Sequence, residues 1–376
     1  MKAEVRRQLS TISDAIEVKW YSTIFLLLGT ILAFADPFTD ILTLREFYLN
    51  DHKTWFGVGL VFVILPSLVI SCLYYRWDCF LCCKYISMKD CCTPDLLFGW
   101  NPLSIPYRRL QAFIWCSRNF KKLWHETLEE GCKKEIMRLI QEETWLGMFE
   151  AILESAPQFI IQLYATIVQQ EQVSTIQMVS LCVSFLSLAW TSTNADVWCF
   201  AAVRNSLNKK YSPKKFITKT FFLISQLFHL SSRLFAITFF SVAFKWWIVL
   251  VVMFHNIAIA SVALWVFRAD NQSCDFCTLI FMFLHGVFYW IRDDGACGLH
   301  FNDDDDLSSI IQVNVNIVKK ASNFLFVIEN IIMISVFYSK EEIHSWYSVP
   351  VTVCVCVFSL VGFLMRVAIC RYFLRE

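Results

Sequence analysis

Long apolar stretches separated by short polar segments dominate the sequence. A helix that crosses a membrane needs about 20 predominantly apolar residues, and nine stretches reach or approach that length. They are 21–49, 56–78, 144–168, 173–200, 217–243, 246–268, 276–292, 321–338 and 347–370. The pattern predicts an all-α polytopic membrane protein.

Basic residues indicate how these helices are oriented, because short cytoplasmic loops are enriched in Lys and Arg. They cluster in the N-terminal tail 1–20, in the segment 79–143, in the loop 204–219 and at the C-terminal end. All four regions are therefore predicted to be cytoplasmic. With both termini on the same side, the number of crossings must be even.

One of the nine stretches must then fail to cross, and 276–292 is the best candidate. It is the shortest, and the polar, acidic stretch 293–310 follows it. Lys319 and Lys320 then mark a cytoplasmic start for the next helix. We predict that 276–292 is a re-entrant segment, which leaves about eight transmembrane helices. The N-glycosylation sequon Asn271-Gln272-Ser273 would then lie in the cytoplasm and stay unglycosylated.

The same loops divide the chain. We predict a cytoplasmic N-terminal tail, 1–20, an N-terminal membrane half, 21–203, and a C-terminal membrane half, 204–376. The first half contains the cytoplasmic segment 79–143. Its second part, 120–143, is typical of an amphipathic helix that lies along the inner membrane surface.

Composition supports the membrane class and excludes several functions. Hydrophobic residues make up 57% of the chain, against about 45–50% in soluble proteins. The net charge of +1 gives no indication of a nucleic-acid partner. The sequence has no P-loop, G-x-S-x-G or H-E-x-x-H motif. We therefore expect neither ATP-driven transport nor enzyme chemistry, and no cofactor or metal.

Cysteines cluster directly after the second predicted helix, at Cys79, Cys82, Cys83, Cys91 and Cys92. Cysteines beside a membrane helix are candidates for palmitoylation, which we assign to the first three. A zinc site would accept similar spacing but lacks a neighbouring His. The third alternative, no specific role, stays open.

Polar side chains recur inside the predicted spans. Glu150, Glu154, Gln158 and Gln162 are spaced every fourth residue and share one helix face. Pro157 lies within this stripe. It removes one backbone hydrogen bond and leaves a carbonyl without its usual partner.

Four other spans carry polar groups at helical spacing. They are Asp36 and Asp40; Ser184, Ser187, Thr191 and Asn194; Gln226, His229, Ser232 and Arg233; and Asn323, Glu329 and Asn330. A charge at the bilayer centre costs about 2.5–3.5 kcal/mol on insertion scales, so these groups are expected to face inward. Arg233 is the only cation that the sequence places among five carboxylates. The polar groups either join helices, at about 1 kcal/mol per contact, or form a path for a hydrophilic moiety. The excess of acid favours the path.

Four motifs resemble the XK-related family of membrane proteins. They are ADPFTDILTLREFY (35–48), WFGVGLVFVILPSLVISCLYYRW (55–77), MFEAILESAPQFIIQLYATI (148–167) and SSRLFAITFF (231–240). The resemblance implies an ATP-independent phospholipid scramblase that exposes phosphatidylserine at the plasma membrane, in some relatives during apoptosis. It also implies eight spans with re-entrant segments in two pseudo-related halves.

The resemblance further implies a lipid path lined by Asp36, Asp40, Glu150, Glu154 and Arg233. Gln158 extends the polar stripe, and Asn194 and Glu329 are additional candidates for the lining. Arg233 suits a phosphate because its delocalised cation offers several donors. The expected partners are membrane phospholipids and either an accessory membrane subunit or a lipid-transfer protein.

Two alternatives to a scramblase stay open. An ion channel or solute transporter would use the same charges to line a pore, and a scaffold subunit would have no transport activity. Caspase control also stays open. The chain ends soon after its last predicted helix, so we expect no long C-terminal tail for a caspase to remove.

Overall fold

A computed structural model describes residues 20–66, 68, 104–125, 127–129, 131–132, 136, 140, 144, 147–148, 150–169, 173–206, 215–269, 324–340 and 346–375. Within this part of the chain the secondary structure is helical, without strands. The helices are α1 (Trp20–Leu49), α2 (Lys53–Pro66), α3 (Ser104–Arg118), α4 (Phe120–Trp124), α5 (Ala156–Gln169), α6 (Thr175–Ser206), α7 (Lys215–Phe244), α8 (Trp247–Ala269), α9 (Phe324–Tyr338) and α10 (Ser348–Arg375). A π-helical turn, Ala151–Ser155, precedes α5.

Five of the described helical segments are long and apolar enough to cross a membrane. They are Trp20–Leu49, Ala151–Gln169, Thr175–Val197, Lys219–Phe244 and Ser348–Ile369. Helices α2 and α9 are apolar but shorter. The prediction of an all-α protein with several membrane helices is confirmed, while about eight spans stays a prediction. The stretch 276–292, Asn271 and the three palmitoylation candidates lie outside the described residues.

The buried face of α1 carries polar as well as apolar side chains, and its exposed face is apolar. Buried residues recur at alternating spacings of three and four, at Thr23, Leu26, Thr30, Ala33, Pro37, Asp40, Leu44 and Phe47. This period of about 3.5 is that of helices packed lengthwise. Polar Thr and Asp lie on the buried face, whereas Ile24, Ile31 and Phe38 are exposed. An apolar exposed face suits a helix that packs on its neighbours with one face and contacts lipid with the other.

Proline explains the local geometry where α5 begins. The ring of Pro157 would clash with the carbonyl of Leu153 in a regular α-helix. The chain instead widens into the π-helical turn Ala151–Ser155, in which the Ala156 N–H donates to the Ala151 carbonyl. This widened turn presents Glu154 and Ser155 to the interior, where both are buried.

The described helices form two compact units, Met1–Tyr211 and Ser212–Glu376. In the N-terminal unit, α1 packs along α6 and α3, and α5 packs on α6. Ser174 and Gln177 form a reciprocal capping box at the start of α6, with bonds of 3.1 and 3.4 Å between each side chain and the other's backbone N–H. The Ser174 hydroxyl also donates to Glu46 of α1. These bonds cap the start of α6 and tie it to the C-terminal part of α1.

In the C-terminal unit, α7 packs most extensively on α10. Gly362 permits the close approach, because a Cβ there would lie 3.2 Å from the His229 backbone nitrogen. At the C-terminal end of α7, Lys340 Nζ donates a hydrogen bond to the Ala243 carbonyl over 2.8 Å. A cation at a helix C-terminus is favourable because the last carbonyls carry partial negative charge.

Candidate functional site

A buried acidic cluster occupies the N-terminal unit where α1, the start of α5 and α6 meet. The two oxygens of Asp36 accept hydrogen bonds from Ser155 (2.5 Å) and Ser184 (2.6 Å). Asp40 Oδ1 accepts from Ser180 at 2.8 Å. Both carboxylates are buried. Because Asp36 and Asp40 are one helical turn apart, the same face of α1 presents both to the serines of α6.

Glutamine side chains of α5 extend this cluster. Gln162 Nε2 donates to Asp40 Oδ1 over 3.0 Å, and Gln158 Nε2 donates to the Gly59 carbonyl of α2 over 2.6 Å. Both amides are 1% exposed. The two glutamines of the predicted stripe therefore lie between helices in this structure.

Glu154 is 4% exposed. Glu150 lies half-buried one turn earlier, within electrostatic reach of Glu154. Two carboxylate oxygens in the cluster, Glu154 Oε1 and Asp40 Oδ2, are buried without a hydrogen-bond partner among the described residues. An unmade hydrogen bond to a buried acceptor is costly, so the described protein groups leave the acids incompletely satisfied. Asn194 is half-buried farther along α6.

The expectation that Arg233 is the only buried cation is wrong. Arg109, which the basic-residue count assigned to a cytoplasmic segment, is 2% exposed on α3. Its guanidinium donates to the Gly29 carbonyl of α1 (3.3 Å) and to the Thr191 hydroxyl of α6 (3.2 Å). It also interacts electrostatically with Asp36. The positive-inside pattern counts charges near the membrane and does not register that α3 packs along α1.

A second buried cluster lies in the C-terminal unit around Arg233, which is fully buried. Arg233 Nη2 lies 3.0 Å from Glu329 Oε2, and Nη1 donates to Asn330 Oδ1 over 3.0 Å. The guanidinium carbon lies 4.5 Å from the centre of the Phe326 ring. The predicted site residues Arg233 and Glu329 are thus an ion pair between α7 and α9.

Glu329 has a second nitrogen partner, His255 of α8. His255 Nδ1 lies 2.7 Å from Glu329 Oε1, and the imidazole is buried. The amide of Asn330 contacts the hydroxyls of Ser232 and Ser359, each at 3.3 Å. The cluster therefore joins all four helices described in this unit.

Sequence reasoning missed several participants: Ser155, Ser180, Arg109 and His255. Ser180 lies one turn before the series Ser184, Ser187 and Thr191, so the helical spacing of that series could have identified it. His255 stands alone on an apolar helix, and Arg109 belongs to a basic segment. Neither Arg109 nor His255 belongs to a series of polar residues at helical spacing, so the sequence pattern did not point to them.

Cation ligands are not grouped in the described residues: no set of three or more His, Cys, Asp or Glu side chains there has metal-binding geometry. Each unit instead has its own network of polar groups: carboxylates with hydroxyls and amides in the N-terminal unit, and a guanidinium with a carboxylate, an amide and hydroxyls in the C-terminal unit. Such groups can exchange hydrogen bonds with polar or zwitterionic partners.

Apolar helices long enough to span a membrane, with charged side chains buried inside each unit, define a polytopic membrane protein with a polar interior. A family model described as XK-related protein matches residues 24–374. The chain belongs to the XK-related family.

Three curated relatives carry family names. XK-related protein 8 of Tetraodon nigroviridis is 26% identical over 46% of this chain and 43% of its own length. XK-related protein 9 of the same fish is 26% identical over 54% of this chain and 55% of its own length. XK-related protein 8 of Gasterosteus aculeatus is 25% identical over 46% of this chain and 43% of its own length. The matched region spans about half the length of these relatives.

Proposed function

We propose that this protein is an ATP-independent phospholipid scramblase. Lipid headgroups would cross the membrane in contact with its buried polar residues while the acyl chains stay in the bilayer. The proposed contacts are Asp36, Asp40, Glu150, Glu154 and Gln158 in the N-terminal unit and Arg233 in the C-terminal unit. Asn194 and Glu329 are proposed as additional polar lining.

One observation carries the proposal: buried carboxylate oxygens without a hydrogen-bond partner among the described residues, at Asp40 and Glu154. Side chains that only hold helices together gain stability by satisfying every polar atom. A path for headgroups needs acceptors that are available to new donors, such as the ammonium group of a phospholipid. The acidic cluster has this property and lies among apolar spans.

The guanidinium of Arg233 suits the other headgroup charge, because it can bind phosphate through several donors. In the present structure Glu329 and Asn330 occupy these donors. A passing phosphate would exchange with them. We therefore propose that both clusters act on zwitterionic and anionic phospholipids.

Glu154→Leu tests the proposal directly. Removing a buried acid with an unsatisfied oxygen should leave the free energy of unfolding unchanged or increase it, because the desolvation penalty disappears. If headgroups use this carboxylate, transbilayer movement should slow about tenfold, the effect of losing one hydrogen bond to a charged group. The rate is measured with fluorescent phospholipid in liposomes that contain the purified protein.

Lipids labelled in the headgroup and tested without ATP give the basal rate. Gly57→Ala serves as the control substitution, since its new methyl group meets no atom of another described element within 4 Å. Scrambling of the wild-type protein without ion current supports the proposal. Ion current without scrambling favours a channel or transporter instead, and neither activity favours a scaffold. Normal scrambling by Glu154→Leu would assign the acidic cluster to helix packing.

Phosphatidylserine exposure at the plasma membrane during apoptosis is the biological role we propose for this activity. Both termini are proposed to be cytoplasmic. An accessory membrane subunit or a lipid-transfer protein that delivers lipid to the inner face is the proposed partner. These proposals depend on family membership and on the distribution of basic residues.

A further inference from the structure

Arg109 occupies a socket that two glycines and a threonine leave open between helices. Its guanidinium bonds to the backbone of α1 at Gly29 and to Thr191 of α6. Gly29 follows Trp20 by nine residues, about 13 Å along the helix. Near the start of α1, the Trp20 ring lies 4.9 Å from that of Trp124 in α4. Helices α3 and α4 therefore follow α1 from its first residue to this socket.

Gly147 forms the floor of the socket. A Cβ at this position would lie 2.0 Å from Arg109 Nη2 and 3.1 Å from its Cζ. Any side chain at 147 would therefore displace the guanidinium. The obstructed atoms are the far end of a flexible side chain, which can move without a shift of the helices.

The two helices tied by Arg109 are those that build the acidic cluster. Helix α1 supplies Asp36 and Asp40, and α6 supplies Ser180 and Ser184. One guanidinium thus joins α3, α1 and α6 about two helical turns from Asp36, with which it interacts electrostatically. While it stays in place, α1 and α6 cannot separate without breaking at least one hydrogen bond of a charged donor.

We propose that Arg109 is a positioning residue that keeps the acidic cluster of the N-terminal unit closed, and that its withdrawal from the Gly147 socket opens this cluster to lipid headgroups. The inference rests on the proposed scramblase function and adds its regulation. Because Arg109 acts through the spacing of α1 and α6, its loss should increase the rate of lipid movement.

Two variants remove the contact in different ways. Arg109→Gln removes the charge and the bidentate geometry, whereas Gly147→Ala keeps Arg109 and displaces it. Gly57→Ala is the matched control, because among the residues that the structure describes a Cβ at position 57 meets no atom of another element within 4 Å. Arg109→Lys keeps the charge but has one nitrogen for two acceptors, so its effect should lie between those of wild type and Arg109→Gln.

Opening is measured independently of transport. Ser155 is 1% exposed beside Asp36, so Ser155→Cys places a thiol inside the closed cluster. Modification of this position by a water-soluble thiol reagent is followed by peptide mass spectrometry in every variant. We expect Arg109→Gln and Gly147→Ala to react about tenfold faster, the effect of a lost hydrogen bond to a charged group. Both should also scramble faster.

The outcomes separate the two proposals. Faster thiol modification with faster scrambling, at an unchanged melting temperature, supports both. Faster modification with no scrambling in any variant supports the closing role of Arg109 and overturns the proposed function. Modification no faster than in Gly57→Ala, or a thiol that becomes reactive only as the protein unfolds, overturns the closing role.

Discussion

At the residue scale, the two units stabilise their buried charges by different means. Carboxylates in the N-terminal unit accept hydrogen bonds mainly from serine hydroxyls and glutamine amides. In the C-terminal unit, Arg233 and Glu329 neutralise each other. An ion pair buried in this way is costly to disrupt on one side only, because the remaining charge keeps its desolvation penalty.

Glu329→Gln should therefore destabilise the protein by about 3–5 kcal/mol. The substitution leaves the Arg233 charge buried without its carboxylate and removes a charged acceptor from His255. The measurement is the melting temperature in detergent. Asp51→Asn is the control, because the Asp51–Lys53 pair is 82% and 74% exposed and such surface pairs contribute little. Equal melting temperatures for Glu329→Gln and Asp51→Asn would contradict the ion-pair role.

At the element scale, small residues determine how closely helices approach. Membrane helices associate through packing and interhelical hydrogen bonds rather than by excluding water, so glycines at their interfaces permit close contact. Gly362 lets α10 approach the backbone of α7 at His229. Gly147 has a different role: it leaves space for the Arg109 guanidinium rather than for the backbone of another helix.

Gly362→Ala should lower the stability of the C-terminal unit by about 1–3 kcal/mol, the usual cost of overpacking. The new methyl group would lie 3.2 Å from a backbone nitrogen and 3.3 Å from a Cα, neither of which can turn away as a side chain can. Thermal unfolding of the purified protein measures the effect. Gly57→Ala also adds a methyl group inside a helix but meets no described side chain within 4 Å, so it should leave the transition unchanged or raise it slightly through helix propensity. The same behaviour of Gly362→Ala would show that the interface relaxes.

At the scale of the whole molecule, the number and direction of crossings depend on the basic residues and on parts of the chain outside the described helices. The described helices provide five segments suited to crossing. The predicted topology places the turn between α1 and α2 outside the cell, since α1 begins on the cytoplasmic side. The segment 270–323 is predicted to stay on the cytoplasmic side.

Epitope tags test this topology. Tags at both termini should be detected in permeabilised but not intact cells, because the basic tail and the basic C-terminal end favour the cytoplasm. A tag inserted at Asp51, in the turn after α1, should be detected in intact cells and serves as the positive control. A terminal tag that is accessible in intact cells, or glycosylation of Asn271, would contradict the assigned orientation.

The sequence by itself determined several of the helices and several of the polar side chains that are buried in them. Apolar length and helical spacing are local properties. The cost of exposing a charge or an amide to lipid requires the polar side chains to face protein, namely Asp36, Asp40, Glu154, Gln158 and Arg233. All five are buried in the structure. Their roles in lipid movement stay predictions, since burial has the same local cause whatever the function.

Only the tertiary structure decided which groups meet. Arg109 contacts Gly29 and Thr191, each about 80 residues away in the chain, and His255 meets Glu329 across 74 positions. Such contacts depend on the faces that packed helices turn toward each other, and helical periodicity repeats along each helix without specifying its neighbour. Arg109, which the distribution of basic residues assigned to a cytoplasmic segment, is therefore buried against α1 and α6, because α3 packs along α1.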